Sequence, residues 1–203
     1  HIHPPFGGEV VTGPAVGATI QEGNVGAGTG MTAFGWKSGI GTSSRLCKSP
    51  YGNYTVGVLV LCNMGDPRDL QVGGIPIGNF LKPPGIYDES GGSVSIIIAT
   101  DAPLTARQLS RVARRASVGL AKVGGMLSHG SGSFSIAFSN STEKPNIDDP
   151  HLSILFRGVA ESTEEAIVNS ILRAQTISGR DDNIRHAIPI DDLQRIINSH
   201  ARA

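Results

Sequence analysis

Gly91-Gly-Ser-Val-Ser-Ile-Ile-Ile-Ala-Thr-Asp-Ala-Pro-Leu104 runs from a glycine pair, through a β-branched and almost wholly apolar run, into a proline-marked helix start. Its middle, Ser93 to Thr100, has the composition of a buried strand. Pro103 and Thr105 sit where a helix begins. Leu109, Val112, Ala113, Ala116, Leu120 and Val123 then recur at helical spacing until Gly124-Gly125 ends it. Arg107, Arg111, Arg114, Arg115 and Lys122 fall mainly off that apolar face and read as a solvated helix surface. Upstream, Tyr54-Thr-Val-Gly-Val-Leu-Val-Leu-Cys62 is a strand that suits burial on both faces, and Gly30 to Cys47 is strand-like in composition. Downstream, Ser133 to Ser139 alternates as a half-buried strand does, and His151 to Arg157 suits a shorter one. Ser162-Thr-Glu-Glu165 has the form of a capping box opening a second helix. A third helix is expected from Asp191 to His200. Strands first and helices later predict a layered α+β domain rather than a strict βαβ alternation.

The 203 residues suit one domain. Seventeen basic residues balance seventeen acidic ones, so no cationic surplus exists to neutralise nucleic acid or an anionic membrane. The apolar runs are too short to span a bilayer. No secretory leader is seen, which sets the expectation of a cytoplasmic protein. Cys47 and Cys62 flank a turn near Pro50 to Gly52 that would set Cys47 against a residue near Thr55, so two reduced thiols are expected. Six histidines form no ligand pattern, and no metal or cofactor is expected. His1 and His3 lie near the start, and His129 reads as a hydrogen-bonded loop histidine. Glycine is in excess, 27 of 203 residues or about 13% against roughly 7% ordinarily. Gly23-Asn-Val-Gly-Ala-Gly-Thr-Gly30 matches neither a P-loop nor a dinucleotide fingerprint, and reads as a pocket-lining backbone or a structural turn.

Ser93 carries the most chemistry. It follows Gly91-Gly92 and begins a buried strand, the placement an N-terminal nucleophile requires. Cleavage of the Gly92–Ser93 bond would free an α-amine of pKa roughly 7.7–8.0, able to serve as base to its own hydroxyl. By composition alone, a Gly-Gly-Ser turn entering a strand is also an ordinary turn.

Four stretches bear on that choice. They are Glu22-Gly-Asn-Val-Gly-Ala-Gly-Thr-Gly-Met31, Gly39-Ile-Gly-Thr-Ser-Ser-Arg45, Tyr54 to Asn63, and Ser93 to Leu104. In order and spacing they resemble the self-cleaving aminopeptidases that include the L-aminopeptidase/D-esterase DmpA and the β-peptidyl aminopeptidases. The likeness runs from about residue 20 to the C-terminus. It implies a layered αββα sandwich, with two central sheets covered by helices. It implies a precursor cut between Gly92 and Ser93, with residues 1–92 in the larger subunit and 93–203 in the smaller. Ser93 would be the nucleophile, Asn63 would stabilise the oxyanion, and Ser131 in Gly130-Ser-Gly-Ser133 would position the amine.

Two departures from the family pattern follow from the same resemblance. Ser133 stands where the family has an acidic residue beside the amine. The longer N-terminal part of family precursors, with an acid that in some members grips the substrate amine, has no counterpart among residues 1–22, so the chain is expected to be the C-terminal part of a longer precursor or to have an altered amine subsite. The implied activity is hydrolysis of short peptides, amino-acid amides or esters through an acyl-enzyme, in a homo-oligomer. Alternatives are a non-catalytic or uncut family member, and an acyltransferase on the same fold.

Overall fold

A computed structural model describes residues 20–49, 52–85 and 92–200. Strands β1 (Thr32–Ala33) and β2 (Trp36–Lys37) form a small hairpin. The main sheet holds β3 (Ile40–Ser49), β4 (Gly52–Asn63), β5 (Ser93–Thr100) and β6 (Phe134–Ser139) in that order. Its first three strands are antiparallel, and β6 runs parallel to β5. Helices α1 (Ala106–Ala113) and α2 (Ala116–Lys122) lie between β5 and β6 in the chain, and α3 (Leu152–Leu172) follows β6. A second small hairpin, β7 (Ile177–Ser178) with β8 (Ile184–Arg185), precedes α4 (Ile190–His200). The layered α+β architecture expected from the element order is present.

The core lies between one face of the sheet and the helices. Val56, Val58, Val60 and Cys62 of β4 and Val94, Ile96 and Ile98 of β5 are all buried on that face. Each aliphatic side chain so buried contributes roughly 1.5–3 kcal/mol. Leu152, Leu155, Val159 and Ile167 of α3 and Val112, Ala116 and Leu120 of α1 and α2 meet them. Arg45 on the same face pairs with Glu161 at 3.3 Å and Glu165 at 2.6 Å, tying β3 to α3.

The opposite face is apolar and open. Ile97, Phe134, Ile136 and Phe138 are exposed, and the register sets Leu59 beside Ile97 beside Ile136. The described residues therefore bury β4 and β5 on one face, with no second sheet over the other, where the sequence suggests burial on both. In β6 the alternation is inverted relative to the simplest reading. Ser135, Ala137 and Ser139 face the helices, and the Ser135 and Ser139 hydroxyls donate to the Ala113 and Ala102 carbonyls.

Other expectations are revised. Gly30 to Cys47 is the β1–β2 hairpin followed by β3, because Phe34 and Gly35 both have positive φ and turn the chain back. The single helix expected after Thr105 is two. Thr105 and Gln108 form the capping box of α1, and the chain tightens at Arg114–Arg115, where Arg115 N–H bonds to the Val112 carbonyl three residues back. His151 to Arg157 is not a strand: it belongs to the start of α3, which follows a turn through Asp149-Pro150. Ser162-Thr-Glu-Glu165 lies inside α3, with Ser162 and Thr163 buried, so it caps nothing. Cys47 faces Tyr54, and both cysteines are free and buried. The fourth helix begins one residue before the expected Asp191. His1, His3 and Pro50 lie outside the described residues.

Candidate active site

The antiparallel pairing of β4 with β5 puts Asn63, the last residue of one strand, directly opposite Ser93, the first of the other. Such partners sit roughly 4.5–5.5 Å apart between Cα atoms. Both belong to the open face of the sheet. Gly92 precedes Ser93 with φ +152°, and a Cβ there would stand 2.7 Å from the Asn63 carbonyl oxygen. Glycine is what lets the chain enter β5 so close to the end of β4.

The loop after α2 closes over this corner. The Gly132 N–H donates to Ser93 Oγ at 2.9 Å, holding the hydroxyl in one place. Ser133 Oγ accepts from the Val94 N–H at 3.1 Å and shares a 2.7 Å hydrogen bond with Ser131 Oγ. The Ser131 N–H in turn donates to the Ser128 carbonyl. Ser93, Ser131 and Ser133 are thus brought together. Ser133 makes a neutral link to the backbone of β5, where a carboxylate would have brought charge.

Asn63 is oriented from its other side. Its Oδ1 accepts from the Thr32 N–H at 3.2 Å. An amide nitrogen cannot fill that role, so Nδ2 is the end left to donate. Thr32 reaches this place because the β1–β2 hairpin docks along the end of β4. The Phe34 N–H donates to the Met64 carbonyl at 2.8 Å, and Ala33 bridges to Met64.

A cavity of about 250 Å³ lies alongside, with Gly92, Ser131, Ser133, Asp66 and Asp69 among its lining residues. Arg68 bonds to Asp66 and holds its carboxyl below the usual range. His129 lies exposed in the loop after α2. Gly23 to Gly30 makes a 3-10 turn over Gly26–Gly30 and does not line this cavity. Gly28 and Gly39 pack there backbone to backbone. The Thr32 and Gly132 amides escaped sequence reasoning, because a backbone N–H leaves no mark in residue type.

Residues 9–185 match peptidase family S58. The chain is 40% identical, over 212 aligned positions, to the β-peptidyl aminopeptidase BapA of Sphingosinicella xenopeptidilytica, covering 91% of this chain and 52% of that protein. Among solved structures it is similar to the PH0078 protein of Pyrococcus horikoshii, at 47% identity and TM-score 0.79, over 90% of this chain and 53% of that one. It is also similar to the L-aminopeptidase D-Ala-esterase/amidase of Ochrobactrum anthropi, described as a variant of the Ntn hydrolase fold. That match has 32% identity and TM-score 0.83, over 91% of this chain and 54% of that one. The chain therefore spans about half the length of the relatives it matches.

Proposed function

The chain belongs to peptidase family S58, and we propose that the protein is an autoprocessing serine aminopeptidase or amidase acting on short peptides, amino-acid amides or esters. The observation that carries this reading is the corner where Ser93 opens β5 with its hydroxyl held by Gly132 and with Asn63 opposite.

In the maturation step, Ser93 Oγ attacks the Gly92 carbonyl carbon. The Gly92–Ser93 C–N bond breaks, the hydroxyl proton passes to the nitrogen, and the upstream chain is left as an ester on Oγ. Water hydrolyses that ester to a Gly92 carboxylate and a Ser93 with a free α-amine. The segment ending at Gly92 then belongs to the larger subunit, and the segment beginning at Ser93 to the smaller.

In turnover, the α-amine takes the proton of Oγ as it attacks the substrate carbonyl. Asn63 Nδ2 donates to the oxyanion, a contribution of about 2.7–4 kcal/mol for donors of this kind. The amine returns its proton to the leaving group, and water releases the acyl group by the same route. Ser131 is assigned the holding of the amine, and Ser133, hydrogen-bonded to it, takes the place of the acid. We extend to the whole protein the family's homo-oligomeric assembly.

Intact mass under denaturing conditions, with sequencing of any new N-terminus, tests the reading. A fragment beginning Ser-Val-Ser-Ile, lost together with activity in Ser93→Ala, is the expected outcome. A single uncut chain with undiminished hydrolysis in Ser93→Ala would overturn it.

A further inference from the structure

Lys37 is a lysine buried in the body of the protein, 1% exposed, in a stretch otherwise built from Phe34, Trp36 and glycines. Its Nζ donates to three backbone carbonyls: Gly28 at 3.3 Å, Ser38 at 3.0 Å, and Met31. One of these bonds differs from the others in what lies beyond it. The Met31 carbonyl and the Thr32 N–H belong to the same peptide group. On one side that group accepts from the Lys37 ammonium; on the other it donates to Asn63 Oδ1.

We propose that Lys37 is a positioning residue for the oxyanion donor, acting on Asn63 through the Met31–Thr32 peptide group. The chain of contacts runs Lys37 Nζ–H to O=C of Met31, N–H of Thr32 to Oδ1 of Asn63, and Nδ2–H of Asn63 to the oxygen that becomes negative. Every donor in it points the same way.

Two physical effects follow. The first is geometric. A peptide group is planar and rigid, so fixing its oxygen fixes the direction of its N–H. β1 and β2 place Thr32 and Lys37 directly opposite each other, and the Ser38 N–H adds a second bond to the Met31 oxygen at 3.2 Å. The second effect is electronic. A cation on the carbonyl polarises the amide, strengthens its N–H as a donor, and so makes the Asn63 amide a better donor in turn. The gain is realised only when negative charge develops at the far end, so it favours the transition state over bound substrate.

Burial lowers Lys37 from 10.5 to about 8, so the side chain still carries its charge over most of the population at pH 7. Three backbone carbonyls accept from its ammonium, which accounts for its tolerance in the core.

The inference rests on Asn63 serving as the oxyanion donor, and its test separates the two. In the full-length protein, with rates referred to the cleaved fraction measured by mass, hydrolysis of an amino-acid p-nitroanilide is followed in Lys37→Met, Asn63→Ala and the double variant. Lys37→Met keeps the length of the side chain and removes charge and donors. The expected result is a fall in kcat on the order of tenfold with KM within about twofold. No further fall is expected when Lys37→Met is added to Asn63→Ala.

A second variant covers the case in which Lys37→Met does not fold. Replacing residue 32 with the α-hydroxy analogue of threonine turns the Met31–Thr32 amide into an ester, which replaces the N–H with an oxygen, weakens the Met31 carbonyl as an acceptor and leaves Lys37 in place; it should lose kcat at least to the same extent. Unchanged kcat in the ester variant, or a Lys37→Met loss that persists in full in the Asn63→Ala background, overturns the relay. Unchanged kcat in Asn63→Ala itself overturns the oxyanion assignment.

Discussion

At Gly92 the backbone stands at φ +152°, with 2.7 Å between a would-be Cβ and the Asn63 carbonyl oxygen. Alanine there would have to push apart the ends of β4 and β5, the two residues whose opposition makes the site. Gly92→Ala should therefore slow appearance of the Ser-Val-Ser-Ile fragment by roughly 5- to 150-fold, the rate equivalent of about 1–3 kcal/mol of strain. A time course of intact mass checks it. Ser133 is the other informative residue. It links Val94 to Ser131 without charge, so nothing at this position favours the protonated form of a Ser93 amine. A carboxylate placed there would. In Ser133→Glu the amine should hold its proton to higher pH, and the ascending limb of the pH–kcat profile should move to the alkaline side. A limb that stays put would remove position 133 from the surroundings of the base.

Among the elements, the contact of α3 with β3 positions the whole helical layer. Gly41 on β3 is the point of closest approach, where a Cβ would come within 1.9 Å of the Ala166 carbonyl oxygen and 2.7 Å of the Ser170 N–H nitrogen. Neither is the end of a flexible side chain, so the helix as a unit must move. Gly41→Ala should cost about 1–3 kcal/mol, the range for overpacking a core, read as a drop in the urea midpoint. Arg45 reinforces the same contact through Glu161 and Glu165 on successive turns of α3. Leu152–Leu172 is one helix rather than a strand followed by a helix for a related reason. Leu152, Leu155, Val159 and Ile167 all face the sheet, and that common face extends back past the apparent start signal at Ser162.

For the molecule as a whole, alkaline pH sets ionisation terms against one another. Lys37 has a folded value of about 8 against 10.5, so between those limits the unfolded chain binds more protons and this group's share of stability rises with pH. Burial pushes Cys47 up to about 11 and Cys62 to about 12 from 9.0. From pH 9 upward the unfolded chain therefore sheds thiol protons that the fold retains, and stability falls. With two thiols against one ammonium, the share from these groups should peak between about pH 8 and 9 and then decline. Melting temperatures across pH 7–11 should show the decline, and replacing both cysteines with alanine should flatten it. The open face of the sheet has its own consequence. Ile97, Phe134, Ile136 and Phe138 form an exposed apolar surface, so the 203-residue chain taken alone should bind a hydrophobic dye. Phe134→Ser with Phe138→Ser should reduce that binding.

The strands that carry Asn63 and Ser93 and the helix start at Thr105 could be read from residue types, because composition and periodicity are local properties of the chain. The boundaries of α3, the break between α1 and α2 and the outward turn of Phe134, Ile136 and Phe138 could not. Each depends on which neighbour covers a side chain, and periodicity does not name the neighbour. The same holds at the site. Residue type marked Ser93, and the family resemblance added Asn63, Ser131 and Ser133, but the hydrogen bonds that hold two of them come from backbone amides at Thr32 and Gly132. Those amides, and the buried Lys37 behind one of them, were decided by tertiary structure alone, since every residue but proline has an N–H and only the fold says where it points.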